Sequence, residues 1–61
     1  MNPALVQLDQ ARASVRWAVK TIFDLLPDDA ARAKAEGEWY LQMLAALAYM
    51  ERQLDDLRGQ Q

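Results

Sequence analysis

The chain has 61 residues, with 7 Lys and Arg, 9 Asp and Glu, a net charge of −2, and neither Cys nor His. The missing side chains exclude a disulfide scaffold, a zinc ribbon and a catalytic Cys–His or Ser–His pair. An apolar content of 52% is too high for a disordered tail, and the length allows one domain, which we take as residues 1–61.

Neither a targeting signal nor a membrane span is predicted. Residues 1–10 lack the basic and apolar stretches of a secretory signal. The most apolar stretch, from Trp39 to Met50, has twelve residues with Gln42 among them, whereas a membrane span needs about 20. We therefore expect a cytoplasmic protein with no membrane partner.

The first helix is predicted at about residues 3–26. Asn2 can cap the first free amides, and Pro3 suits the first helical turn because its missing N–H is not needed there. Pro27 disfavours helical geometry in the residue before it, so the helix should stop near Leu25 or Leu26.

Apolar side chains recur along this helix at the spacing of an amphipathic helix with a broad apolar face. Small residues in a repeating row allow close approach of another helix, so we expect a tight antiparallel helix pair on the alanine side. The two rows, each with a seven-residue repeat, are Leu8, Val15 and Ile22, and Ala4, Ala11, Ala18 and Leu25.

The second helix is predicted at about residues 28–58, with a possible break at Gly37. Asp28 and Asp29 suit the positive end of a helix dipole, and Arg58 followed by Gly59 is a stop signal. Two interpretations are open. In one, residues 28–36 form a short helical connector and a separate helix begins near Glu38. In the other, a single long helix continues through Gly37 despite the low helix propensity of glycine. We favour the single helix because nothing near Gly37 caps a new one.

The second helix is apolar nearly all round from Trp39 to Met50, so it must be buried on more than one side. Two helices alone cover one side of each other, and small domains without enough core use disulfides, metals or oligomers. Self-association remains, and the sequence predicts an all-α helical hairpin that dimerises into a four-helix bundle. The predicted self-association residues are Leu8, Val15, Ile22, Tyr40, Met43, Leu47, Met50 and Leu54.

This layout is similar to that of the plasmid RNA-binding protein ROP, a dimer of short helical hairpins of about this length. The likeness covers the whole chain as architecture, without a shared motif, so it carries no function with it. Small dimeric hairpins with which phages block host regulators are similar in the same way.

Four residues are candidates for binding another protein: Trp17, Lys20, Trp39 and Tyr49. Trp17 is predicted to project opposite the row that contains Val15, where it could anchor a partner. Its alternative role is packing in the dimer interface or under residues 28–36. Trp39 and Tyr49 are off the main apolar row, and each has a polar group that could face a partner.

Arg12, Arg16 and Lys20 form a basic row that could contact an RNA backbone in a dimer. The alternative is a solvated face, partly compensated by Asp9 and Asp24. The acidic net charge and the lack of an RNA-binding motif argue against nucleic acid as the partner.

The sequence predicts no enzyme, no cofactor and no metal site. The only serine, Ser14, has no base to activate it, and adjacent acids such as Asp55 and Asp56 point apart on a helix. We therefore expect a small protein–protein interaction module that acts as a regulator, inhibitor or adaptor on a larger protein. The alternatives are a ROP-like dimeric RNA-binding regulator that uses the basic row and a purely structural assembly subunit.

Overall fold

The computed structural model describes residues 2–60, which form two antiparallel helical rods. Helix α1 spans Pro3–Asp24, α2 spans Asp29–Ala35 and α3 spans Leu41–Gly59. A π-helical turn, Glu36–Tyr40, joins α2 to α3. The Cα positions span 45 × 16 × 10 Å. The chain is thus an all-α helical hairpin, as the sequence predicts.

Helix α1 begins at its predicted cap and ends two residues early. The Asn2 side chain accepts a hydrogen bond from the Ala4 amide at 2.9 Å, and Pro3 is the first helical residue. The last helical residue is Asp24, with Leu25 as the C-cap. The α-helix therefore ends before it reaches Pro27, because proline disfavours helical geometry in the residue that precedes it.

The turn between the rods is stabilised by Asp28 and Arg32. The Asp28 side chain accepts a hydrogen bond from the Ala31 amide at 2.8 Å and caps α2. Arg32 donates to Asp29 at 2.6 Å and to the carbonyl oxygen of Leu26 at 3.0 Å. One arginine therefore connects the first turn of α2 to the loop that precedes it.

Gly37 does not break the second rod, which runs through it in the π-helical turn. Ala35 is buried and Tyr40, five residues later, stacks on Phe23 of α1. In an uninterrupted α-helix, residues five apart point about 140° away from each other. The wider turn, with its i→i+5 hydrogen bonds, brings both onto the side facing α1.

The core is small and the molecule is elongated. The radius of gyration is 14.3 Å, against about 10.5 Å for a compact domain of this length. The accessible surface is 4608 Å², whereas a compact monomer of this mass exposes about 4,000 Å². The buried apolar side chains are Leu5, Val19, Ala35, Leu47 and Leu54.

The prediction of a tight helix pair on the alanine side of α1 is wrong. Leu5 and Val19 are the buried residues of α1, and Arg12 between them reaches α3. Ala4 and Ala11 are exposed, and Leu25 of the same row is 77% exposed. The side of α1 that carries Leu5 and Val19 faces the second rod instead, and these larger side chains bury more apolar area than alanines would.

Candidate interaction surface

The half of the hairpin that contains the two chain ends, residues 2–17 and 43–60, is called the open end here and is crossed by ion pairs. Arg16 donates twice to Glu51, at 2.7 and 2.9 Å, and Arg12 donates to the same carboxylate at 2.8 Å. Asp9 accepts from Arg12 at 2.9 Å and lies 2.7 Å from Arg58 of α3. This cluster fixes the axial alignment of α1 relative to α3.

The arginines change the acid–base properties of both carboxylates in the cluster. Hydrogen bonding from Arg16, together with the positive charges of Arg16 and Arg12, holds the pKa of Glu51 below its ordinary value of 4.5. Hydrogen bonds from Arg12 and Arg58 likewise hold the pKa of Asp9 below 3.8. The carboxylates are therefore ionised, and paired, through the neutral pH range.

Two of the three residues in the basic row predicted for RNA binding belong to this ion-pair cluster. Arg12 and Arg16 point toward α3, and only Lys20 of the three is exposed. A phosphate backbone would have to compete with Glu51 and Asp9 for both guanidinium groups. Nucleic-acid binding through this row would therefore require these ion pairs to break, and the sequence pattern alone did not reveal that free-energy cost.

The loop end of the hairpin is closed by aromatic rings. Phe23 and Tyr40 are stacked, with ring centroids 3.9 Å apart and planes inclined by 15°. Trp39 packs edge-on against Tyr40 at 5.8 Å and is half-buried. Trp39, a predicted partner-binding residue, therefore contributes to the hairpin's own packing.

A shallow apolar groove of about 320 Å³ runs between α1 and α3 on one side of the hairpin. Its floor includes Leu47, which is 0% exposed, and Leu54. The walls belong to residues of both helices that remain open to solvent. The lining residues are Leu8, Ala11, Arg12, Val15, Leu47, Met50, Gln53 and Leu54.

The groove is the centre of a longer surface that we call the apolar face. Residues seven apart on a helix return to nearly the same side, so the rows through Val15 and Met50 continue to both ends of the hairpin. All six large side chains of these rows are between 37% and 53% exposed. The apolar face consists of Leu8, Val15 and Ile22 on α1, and Met43, Met50 and Leu57 on α3.

The structure divides the eight predicted self-association residues into two sets. Tyr40, Leu47 and Leu54 point toward α1 and belong to the inside of the hairpin. The other five lie on the apolar face and are exposed: Leu8, Val15, Ile22, Met43 and Met50.

The two most exposed aromatic side chains lie on opposite edges of the hairpin. Trp17 is 70% exposed and Tyr49 is 62% exposed. Each is two residues from a buried side chain, Val19 and Leu47 respectively, and two residues correspond to about 200° around a helix. Both therefore point away from the hairpin interior, one from each helix, and do not form one surface. Lys20, one turn from Trp17, is exposed beside it.

Sequence reasoning missed the pairing of Glu51 with two arginines and the stacking of Phe23 on Tyr40, although the spacing contained a signal for each. Arg12 interrupts the row of Leu5, Val19 and Leu26, and Glu51 lies seven residues from Leu44 and from Arg58. Opposite charges at interior positions of two facing helices predict an interhelical pair. Phe23 belongs to the same seven-residue row as Asp9 and Arg16. Because these two residues are charged, the row does not stand out in the sequence as one that faces the interior.

Within residues 2–60, no cluster of acidic side chains is arranged to hold a metal ion, and no helix combines the length and apolar character needed to cross a membrane. Comparison of the chain with protein-family models, with curated proteins and with solved structures gives no match in any of the three.

Proposed function

We propose that this chain is a non-enzymatic interaction module that binds a larger protein in the cytoplasm, as a regulator, inhibitor or adaptor. The observation that supports the proposal is the exposed indole of Trp17. It lies in the middle of α1, on a side of the helix that the hairpin does not use for its own packing.

A tryptophan in this position favours binding over stability. Burying an aromatic side chain removes 150–250 Å² of surface from water, and this chain leaves most of that surface unburied on Trp17. Tryptophan is also enriched among the few residues that dominate binding energy in protein interfaces. Its loss should therefore affect a complex far more than the fold.

The neighbours of Trp17 indicate the chemistry of the partner's pocket. Ala13, one turn before Trp17, is small and leaves the indole accessible, and Lys20, one turn after it, is exposed. We propose a partner pocket that accepts the indole and has a carboxylate within reach of the Lys20 ammonium group. Such a pair at the rim adds selectivity and association rate more than affinity.

The proposal is tested with the tagged protein as bait in extract of its native cell or host, followed by mass spectrometry. Trp17→Ala should reduce capture of the specific partner at least about tenfold while helicity and molecular mass stay unchanged. Tyr49→Ala is the matched control. Tyr49 is also a predicted partner-binding residue, but its similarly exposed ring lies on the other edge of the hairpin, outside the proposed contact around Trp17. Equal capture by the wild type and Trp17→Ala, or unfolding of Trp17→Ala, would contradict the proposal.

A further inference from the structure

We infer that the apolar face of one hairpin packs against the same face of a second copy, with the two loops at opposite ends of a four-helix bundle. In this arrangement α1 lies antiparallel to α1 of the second copy, and α3 lies antiparallel to α3. The inference goes beyond the proposed binding through Trp17 and does not depend on it, because the two surfaces lie on different sides of α1.

The size of the apolar face matches what a stable dimer needs. The broad side of the hairpin measures 45 × 16 Å between Cα atoms, roughly 700 Å² before side chains are added, against ~800 Å² per partner in a standard interface. The hairpin also exposes more surface than a compact monomer of its mass. A second copy would cover part of this surface, beginning with the exposed side chains of the apolar face.

The face is also self-complementary about its centre. Val15 is midway between Leu8 and Ile22, and Met50 is midway between Met43 and Leu57. A two-fold axis that passes by Val15 places Leu8 of one copy at the level of Ile22 of the other. Side chains of similar volume then meet at both ends, as an isologous interface requires.

The charge distribution favours loops at opposite ends. Residues 18–42, which form the loop half, carry five acids and three cations, whereas the remaining residues carry four of each. With the loops together, two net negative ends would adjoin. The antiparallel arrangement places each acidic loop beside the neutral open end of the other copy, which avoids that repulsion.

The alanine row of α1 has a role in this arrangement. Ala4, Ala11 and Ala18 border the apolar face, and the hairpin buries none of them fully, although Ala11 lines the groove and Ala18 is half-buried. Small side chains permit two helix backbones to approach closely. They would let α1 of one copy approach α1 of the other, so the close contact expected within the hairpin is formed between copies.

The first test is the molecular mass in solution, measured by sedimentation equilibrium from one to 100 micromolar. The wild type should reach twice the 7.0 kDa of one chain. Val15→Glu should raise the dimer dissociation constant at least about 30-fold, because it places two carboxylates together at the axis. Ala13→Glu, on the opposite side of α1, is the matched control and should leave the dimer intact.

Two results of that experiment would overturn the inference. One is a wild-type mass of a single chain, or of assemblies larger than a dimer, across this range. The other is a Val15→Glu variant that dimerises as tightly as the control. The crosslinking measurement below does not require that variant to fold.

The second test determines the orientation. The chain has no cysteine, so Leu8→Cys and Ile22→Cys each introduce a single thiol, and a short bis-maleimide can join only thiols that lie close together. Leu8 and Ile22 are about 21 Å apart along α1. The inferred dimer should crosslink when the two variants are mixed and not when either is alone. Crosslinking of each variant with itself would show loops at the same end and contradict the inference, and so would no crosslinking at all.

Discussion

The two ends of the hairpin are closed by different chemistry. At the loop end, Phe23 stacks on Tyr40, beside the buried side chains of Val19 and Ala35. At the open end, the Glu51 carboxylate receives three hydrogen bonds from two arginines that remain partly exposed. Apolar burial is favourable wherever it occurs, but partly exposed ion pairs add little net stability.

The two ends contribute differently to the stability of the fold and to the alignment of its two rods. The aromatic end can supply stability in several side-chain arrangements, because hydrophobic contact is not directional. The ionic end requires one alignment, because Arg12 and Arg16 reach Glu51 at a single relative position of α1 and α3. We therefore assign stability mainly to the loop end, and alignment of the two rods mainly to the open end.

The largest effect is expected from Phe23→Ala at the loop end. Removal of a fully buried Phe costs 3–5 kcal/mol, and Phe23 is half-buried. We expect the free energy of unfolding to fall by about 2 kcal/mol. Urea unfolding followed by circular dichroism, at one fixed protein concentration, measures this change.

The control for this prediction is Tyr49→Ala, which removes an aromatic ring from the exposed edge of α3 and should change stability by less than about 0.5 kcal/mol. An equal loss in both variants would mean that the Phe23–Tyr40 stack does not stabilise the loop end, and the contrast between the two ends would disappear.

A smaller effect is expected from Glu51→Gln at the open end. The substitution keeps the size of the side chain but removes the carboxylate whose pKa Arg16 and Arg12 hold below its ordinary value. Because this pKa is lower in the folded state, the contribution is present above pH 4.5 and is lost as the pH falls through the folded value. The melting temperature of the wild type should therefore decrease on acidification, and that of Glu51→Gln should decrease less.

The matched control is Asp56→Asn, which removes one carboxylate from the exposed side of the same helix. It should retain the acid dependence of the wild type, and it should also retain the loss of stability in high salt that screening of the ion pairs causes. If Glu51→Gln and Asp56→Asn gave the same pH profile, Glu51 would have no special part in aligning the rods.

The sequence predicted the hairpin because its strongest signals are local. The cap at Asn2, the stop before Pro27 and the seven-residue apolar rows depend on residues close together in the chain. The same rows could not show which side of α1 meets α3, because two adjacent rows are apolar. The choice depends on the pairing of Arg12 with Glu51, which lie 39 residues apart.

Only the part of the candidate surface that depends on local signals could be predicted from the sequence. Exposure of Trp17 follows from its position about 200° from a buried residue of its own helix. The division of the self-association residues, with Leu47 inside and Met50 outside, depends on how far the second rod rotates as it passes Gly37. The π-helical turn sets that rotation, and alanine-rich α2 has too little contrast between its sides to predict it.

The smallest effect tests whether that turn needs its glycine. A Cβ added at Gly37 meets nothing within 4 Å, and the described backbone has no glycine with positive φ. Alanine should therefore stabilise the second rod by about 0.5–1 kcal/mol, because it loses less backbone entropy than glycine. Gly59→Ala, at the last residue of α3, is the control and should gain less, since helix ends are partly frayed. The melting temperatures of both variants, measured by thermal unfolding, test this prediction. A lower melting temperature for Gly37→Ala alone would mean that glycine is required to form the π-helical turn that brings Tyr40 onto Phe23.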